Sequence, residues 1–598
     1  MSNPALPFPD IEIIDTDIAI IGAGGAGLRA AIEIARTSPT SKIALISKVY
    51  PMRSHTVAAE GGAAGVVRDD DSLDNHFNDT VSGGDWLCDQ DVVQYFVEHA
   101  TGEMIQLEHW GCPWSRLPDG RANVRRFGGM KIPRTWFAAD KTGFHILHTL
   151  FQTSLQYPSI KRFDEHFALD LLVADDSVQG VLAFDMGRGV VRAFRAKSVI
   201  IATGGAGRVY QYNTNGGIVT GDGMALAYRH GVPLQDMEFV QYHPTGLPGS
   251  GILMTEGCRG EGGILTNKDG YRYLQDYGLG PETPIGEPKN KYMELGPRDR
   301  LSQAFYHEWK KGRTIDTARG AVVHLDLRHL GESYINERLP FIRSLAQKFV
   351  GVDPAFHPIP VRPTAHYTMG GIKTDIDCRT PLSGLFAVGE CASVGLHGAN
   401  RLGSNSLTEL SVFGKVAGEK ALQFTKSTSP TADIENLAKN AYQPYFELLN
   451  RTDGTESPVA IRNELGILMD AHIGIYRSGD DCQKAIAKIS ELKARYQHVK
   501  VSDHGLTFNT DWLTVIELGF LLDVAEAMIY SADARTESRG SHQRLDYDKR
   551  DDAAFLKHTL AYYQAQNAPV ISYAPVIITK SPPAQRVYGK AGEQANEK

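Results

Sequence analysis

The chain has 598 residues, too many for a single hydrophobic core, and that length predicts about three or four domains. Hydrophobic and charged residues make up 42% and 22% of it, the proportions of an ordinary soluble globular protein, and a net charge of −8 argues against a nucleic-acid-binding surface. Six cysteines are scattered with no Cys-x-x-Cys pair, which argues against a disulfide framework, a zinc site or an iron–sulfur cluster held by this chain alone.

The opening MSNPALPFPDIEIIDTD is acidic and proline-bearing, without the basic region and apolar core of a signal peptide. An apolar β-branched run, Ile18–Ile21, then enters Gly22-Ala23-Gly24-Gly25-Ala26-Gly27. A helical pattern over Leu28–Ala35 and a second apolar strand, Ile43–Ile46, follow at the spacing of a βαβ unit. In that context the glycine pattern predicts a dinucleotide site. Gly22 permits the tight turn, Gly24 lets backbone approach a pyrophosphate, Gly27 lets helix and strand pack closely, and the helix N-terminus faces the phosphates. The second strand ends Ser47-Lys48, where an NAD site would carry Asp or Glu. No second such motif follows a strand, so one FAD is the better fit.

The small-residue segment Ser54-His55-Thr56 to Gly61-Gly62 is expected beside an isoalloxazine ring, with His55 as a flavin contact. Residues 90–109 predict a helix with Val93, Phe96, Val97, Ala100, Met104 and Leu107 on one face, followed by a turn at 110–114. Arg125–Lys131 is basic and glycine-bearing, a solvated loop or an anion contact with equal weight. Phe163–Phe194 alternates like antiparallel strands, and Ser198–Gly207 reads as a buried return strand ending in a glycine turn. Asp222 opens a helix that it is placed to cap, a role compatible with a cofactor contact.

From Glu238 to about Val350 the βαβ rhythm stops, and Gly, Pro, Arg and His accumulate. This segment holds His243-Pro-Thr-Gly246, Met254–Gly263 and Gly296-Pro-Arg-Asp299. The chain returns through Arg362–Gly371 to a last Rossmann-like strand ending at Glu390, and then to Gly398–Leu407. The fold class is α/β: a Rossmann-like FAD-binding domain in two parts, 14–237 and 355–420, with an inserted α+β capping domain, 238–354. A helical domain, 421–545, and a small C-terminal domain with a mobile polar tail, 546–598, follow. No run of eighteen apolar residues exists. Leu513–Tyr530, interrupted by Glu517, Asp523 and Glu526, reads as a buried amphipathic helix. A cytoplasmic chain is expected, touching membrane only through a partner.

Along nearly its whole length the chain resembles the succinate dehydrogenase/fumarate reductase flavoprotein family, on its bacterial fumarate reductase branch. The stretches SKVYPMRSHTVAAEGG, QYHPTGLPGSGILMTEGCRGEGGIL, RPTAHYTMGGI and HGANRLGSNSL carry the likeness, and the segment from WGCPWSR to ILHTLFQ points to that branch. The resemblance implies FAD joined covalently to His55 and a fumarate/succinate site between flavin domain and cap. Beyond the glycine loop, cofactor contacts are implied at Ser47, Lys48, Ser54, His55, Thr56, Gly61, Gly62, Asp222, Glu390, Arg401, Ser406 and Leu407. It also implies an iron–sulfur subunit and membrane anchor subunits that pass electrons from a quinol, with the chain peripheral on the cytoplasmic face of the inner membrane.

Fumarate carries two carboxylates and needs fixed donors, which arginine forks supply. His243, Thr255, His366 and Arg401 match the family's binding positions. Arg298 matches its proton donor, fed through Glu256 and Arg259, with His243 and His366 beside it in the catalytic set. Taken singly, His243 before Pro also suits a turn, Arg401 also suits a pair with Glu409, and Arg298 a third carboxylate clamp. Cys258 is expected as a thiol with no chemical role. A bare FAD scaffold or electron carrier would not need the Arg and His density of the cap. The enzymatic alternatives are succinate oxidation by the same site and a soluble L-aspartate oxidase-like flavoenzyme, which lacks the histidyl link.

Overall fold

The computed structural model describes residues 8–279, 293–428 and 433–586; the tail expected at Glu593–Lys598 lies outside them. Five short parallel strands form the central sheet, in the order Leu385–Ala387, Ser198–Ile201, Ile18–Ile21, Ile43–Ser47 and Ile160–Asp164. The runs Ile18–Ile21 and Ser198–Ile201 are buried at every position, as unbroken apolar strands in a covered parallel sheet must be. Helix Gly25–Thr37 makes the first crossover and begins earlier than the apolar pattern from Leu28 indicates. Gly24 takes its N-cap position, so the glycine loop itself supplies the first turn. The crossing leaves no room for side chains. Gly22 sits at φ 108°, where a Cβ would meet the Ala202 carbonyl oxygen at 2.2 Å, and a Cβ on Gly27 would stand 1.9 Å from the Gly22 carbonyl oxygen.

A second sheet orders Ile11–Asp15, Val190–Arg195, Ser177–Asp185 and His166–Ala174, the last three antiparallel. The alternating stretch expected from Phe163 therefore divides: Phe163 ends a strand of the parallel sheet, and the antiparallel meander starts at His166. Helix Gln90–His109 has the expected bounds and buries all six apolar residues named for its inner face.

The inserted segment builds its own antiparallel sheet, Val240–Gly246, Ile359–Thr368, Gly320–Asp326 and Ile264–Thr266, over a separate core that runs from Leu247 to Val361. Strand Ile359–Thr368 thus carries the cap's sheet past residue 354 and back toward the flavin domain. A hydrogen bond from Phe341 N–H to Asp140 Oδ2, at 2.8 Å, ties helix Pro340–Val350 of the cap to the flavin domain.

Helices Ile434–Leu449, Pro458–His472, Gly479–Tyr496 and Thr510–Ala534 make the helical part. The last is not amphipathic: residues from Trp512 to Ala532 are buried on nearly every face. Its acids are paired inside, Glu517 with Lys48, Asp523 with Arg229 and Lys493, and Glu526 with Lys493. The C-terminal strands Lys557–Tyr562 and Val570–Pro575 extend a sheet already begun by Leu234–Gln235, Gly371–Lys373 and Ala392–Ser393. Among the described residues no helix is long and apolar enough to cross a membrane.

Candidate functional site

A cavity of about 670 Å³ opens where the parallel strands end, the crevice in which open α/β sheets bind ligands. Gly22 to Ala26, Ser47, Lys48, Ser54, His55, Thr56, Asp222, Glu390, Ser406 and Leu407 line it. Helix Gly25–Thr37 has no side-chain cap at Gly24; of its first amides, Gly25 N–H reaches Thr56 Oγ1 at 3.1 Å. Its positive end therefore faces the cavity, ready for an anion. Two buried hydroxyls in the wall, Ser54 Oγ and Thr203 Oγ1, have no hydrogen-bond partner among the described residues. Volume, an open helix terminus and orphaned donors together fit a phosphate-bearing dinucleotide such as FAD.

Asp222 does not cap its helix. Gly221, at φ 73°, holds the N-cap position, and Asp222 is the first helical residue. Its carboxylate accepts from Thr220 Oγ1 at 2.6 Å and from Lys48 Nζ at 2.6 Å. Lys48 also donates to Thr220 Oγ1 at 2.8 Å and Glu517 Oε1 at 2.9 Å, so its ammonium protons are spent on the protein. Glu390 accepts from Thr368 N–H at 3.1 Å, and burial pushes its carboxyl up to about 7. Such a carboxyl is half protonated near neutrality and suits hydroxyl recognition.

His55 begins a short 3₁₀ turn, His55–Ala58, and borders the same cavity. Burial, and behind it the charge of Arg208, lower its pKa to about 4, so the imidazole is neutral. Gly216 N–H donates to His55 Nδ1 at 3.3 Å, which leaves Nε2 as the nitrogen available for a bond.

A smaller cavity of about 50 Å³ adjoins the first and shares Ala59, Glu60, Leu253, His366, Ser406 and Leu407 with it. Gly61, Gly62, Phe127, His243, Thr255, Glu256, Arg298, Arg401 and Ser404 complete its wall. The cap contributes His243 from a strand and not from a turn, Thr255 and Glu256 from the start of a one-turn helix, and Arg298 from the first position of helix Arg298–Lys310. The flavin domain contributes Arg401, just ahead of helix Asn405–Thr425.

Arg298 Nη1 and Arg401 Nη2 both donate to one neutral oxygen, Gln241 Oε1, at 3.0 and 3.1 Å. Arg298 Nε donates to Glu256 Oε2 at 2.8 Å. Arg401 has no carboxylate partner among the described residues. Glu409, its suggested alternative, instead accepts from Tyr367 Oη and bonds His397 Nε2, both at 2.8 Å. Burial and then Arg298 push the Arg401 pKa down to about 10, and its Nε has no partner among the described residues. His243 Nε2 is likewise buried and free, while Thr245 N–H donates to its Nδ1 at 3.3 Å. Burial first, then the surrounding arginines, hold both His243 and His366 neutral. Thr255 Oγ1 accepts from Gly257 N–H at 3.3 Å and keeps its proton for another partner.

Burial raises the Glu256 pKa, but Arg298, Arg259 and the Gly128 N–H outweigh it and keep the group a carboxylate. The next link is open: Arg259 Nη2 stands 3.8 Å from Glu256 Oε2 without a hydrogen bond, and Arg259 Nε and Nη2 have no bonded partner among the described residues. Cys258 is fully buried, and burial pushes its thiol far up, so it stays protonated. Arg125 is held against the protein: it lies over Phe137 at 4.4 Å and donates to the Gly61 carbonyl at 2.5 Å.

Gln241 and Phe127 escaped the sequence reading. A neutral amide and a loop aromatic have no charge pattern to mark them, and the one signal for Gln241 was its place at the head of the QYHPTG stretch.

Fold and cavities define a dinucleotide-binding protein with a buried, cationic second cleft beside the cofactor crevice. Residues 17–407 match the family "FAD binding domain", and residues 462–588 match "Fumarate reductase flavoprotein C-term". The chain is 66% identical to the fumarate reductase flavoprotein subunit of Serratia sp., over 97% of each chain. It superposes on a mutant of the E. coli quinol fumarate reductase FrdA with a TM-score of 0.95, at 65% identity over 97% of this chain and 99% of that one. A succinate dehydrogenase flavoprotein subunit from Rickettsia bellii is 41% identical over 96% of this chain and 98% of its own. The chain therefore belongs to the succinate dehydrogenase/fumarate reductase flavoprotein family, FAD-dependent oxidoreductases.

Proposed function

We propose that this chain is the catalytic flavoprotein subunit of a quinol:fumarate reductase, with FAD joined covalently to His55. The observation that carries the reading is the pair Arg298 and Arg401. Two buried guanidiniums lean on one neutral oxygen, Gln241 Oε1, and among the described residues Glu256 is the carboxylate bonded to the pair, through Arg298. The cationic groups outnumber that carboxylate, and a dicarboxylate supplies the missing negative charge. Arg401 holds one carboxylate as a fork, and His243 Nε2–H and Thr255 Oγ1 meet the other. FAD, when bound, supplies the hydride that reduces one alkene carbon. Arg298 gives a proton to the other carbon. A guanidinium holds its protons tightly, so the transfer depends on a strongly basic acceptor and on Glu256, 2.8 Å behind, to restore the charge. The Glu256 carboxylate carries that proton only in passing: Arg259 closes the 3.8 Å gap and gives it one, Glu256 hands it on to Arg298, and Arg259 takes another from solvent. Helix Asn405–Thr425 starts at the seam of both cavities with no side-chain cap, an end that favours negative charge on a reduced flavin.

Fumarate reduction is favoured over succinate oxidation by the higher identity to the relative named for fumarate reductase. Iron–sulfur and membrane anchor subunits, on the cytoplasmic face of the inner membrane, complete the electron path in this reading. The test is Arg298→Gln. If Arg298 is the donor, the fumarate turnover rate falls about a hundred-fold or more while malonate affinity stays within a few-fold. Near-normal turnover with dicarboxylate binding a hundred-fold weaker would make Arg298 a clamp and sink the relay.

A further inference from the structure

Four histidines border the two cavities, His55, His166, His243 and His366, and at His55 and His243 a backbone N–H decides which ring nitrogen accepts. Gly216 N–H donates to His55 Nδ1 and Thr245 N–H to His243 Nδ1, each at 3.3 Å. An amide N–H cannot accept, so each neutral ring carries its proton on Nε2. At His366 the partner of Nδ1 is the Thr214 hydroxyl, at 2.7 Å, and a hydroxyl can donate or accept.

Its surroundings remove the ambiguity. Asn215 Nδ2 donates to the His366 carbonyl at 2.9 Å, which fixes the orientation of that amide. The same Nδ2 reaches Thr214 Oγ1 at 3.4 Å as a donor. Among the described residues the hydroxyl proton then has one acceptor, His366 Nδ1. The backbone keeps Thr214 in place. Its N–H donates to the Ala365 carbonyl and the Ala365 N–H to the Tyr212 carbonyl, both at 2.9 Å, while Tyr212 N–H is held by Asp470 Oδ2 at 3.0 Å. Thr214 is thus fastened to the strand residue next to His366.

We infer that Thr214 is a positioning residue: its hydroxyl donates to His366 Nδ1 and holds the imidazole as the tautomer that presents Nε2–H to a dicarboxylate. The inference rests on the proposed dicarboxylate site. With the proton on Nδ1 instead, a ring lone pair would face a carboxylate, acceptor against acceptor. Thr214 does for His366 what backbone amides do for His55 and His243.

The test uses the full chain purified with its FAD. Malonate binding is followed through flavin absorbance, and fumarate KM and kcat are measured with a reduced dye. Thr214→Val and Thr214→Ala lose the hydroxyl; Thr214→Ser keeps it. Both hydroxyl-free variants should bind malonate about ten-fold more weakly and show a KM raised by a similar factor, with kcat within about three-fold. Thr214→Ser should behave as the unsubstituted protein. A purely structural role would lower FAD content and kcat as well. Unchanged malonate affinity in the hydroxyl-free variants, or a serine variant as weak as the valine one, overturns the inference. Absence of malonate binding by the unsubstituted protein overturns the dicarboxylate reading itself, and the inference with it.

Discussion

Arg401 is the residue at which the proposed chemistry is most exposed to test. Its side chain lies over Tyr367 at 4.4 Å, bonds Gln241 and Ser406, and has Nε free. Arg401→Lys keeps the charge and loses the fork, so fumarate and malonate should both bind more weakly by about ten- to a hundred-fold. Unchanged malonate affinity would return Arg401 to a packing role. His55 gives a second test: His55→Ser should keep bound FAD yet lose the fluorescent flavin band that survives acid denaturation on a gel. Retained fluorescence would move the link elsewhere. Charged and ring side chains such as these were legible in the sequence because few other residue types serve an anion. Gln241 was not. Its task is to be a neutral acceptor between two cations, and only their positions in space reveal it.

At the scale of elements, the C-terminal strand Lys557–Tyr562 is fastened by a buried imidazolium. His558 Nδ1 lies 2.6 Å from Asp236 Oδ2 and Nε2 lies 3.2 Å from Asp89 Oδ1. Burial opposes the charge, but Asp236 and then Asp89 outweigh it and raise the pKa to about 10. A folded-state pKa raised above the ordinary value means stabilisation present in full below about pH 6.5 and lost as pH rises through about 10. Melting temperature should therefore decline between pH 7 and 10. His558→Gln should start lower, by the roughly 3–5 kcal/mol of a broken buried pair, and lose much of that decline. An equal alkaline slope in both proteins would clear His558 of the role. The glycine crossing predicts a sharper failure: Gly27→Ala should abolish FAD retention, since its Cβ would fall 1.9 Å from a backbone oxygen. That crossing was legible from spacing alone. Helix Thr510–Ala534 was legible as a buried helix, but its burial on nearly every face was not, because Glu517, Asp523 and Glu526 look like a solvent face until Lys48, Arg229 and Lys493 arrive from elsewhere in the fold.

At the scale of the molecule, the parallel sheet is covered by two large cores, and the cap has a third of its own. The proposed dicarboxylate cleft lies where cap and flavin domain meet, with Arg298 and His243 from one side and Arg401 from the other. Sequence order separates these residues widely, so their convergence was readable only through family resemblance. The same architecture predicts that the isolated chain reduces fumarate with a soluble dye and fails with quinol; quinol activity in the single chain would contradict the proposed division of labour. Finally, the shared oxygen between Arg298 and Arg401 has a thermodynamic counterpart. A ligand that binds only the closed, folded cleft raises stability by mass action, about 2.7 kcal/mol at a hundred times its dissociation constant. Heating the protein in malonate and in a monoanion of equal ionic strength should give two different melting temperatures, and that gap should shrink in Arg401→Lys before the fold itself is weakened.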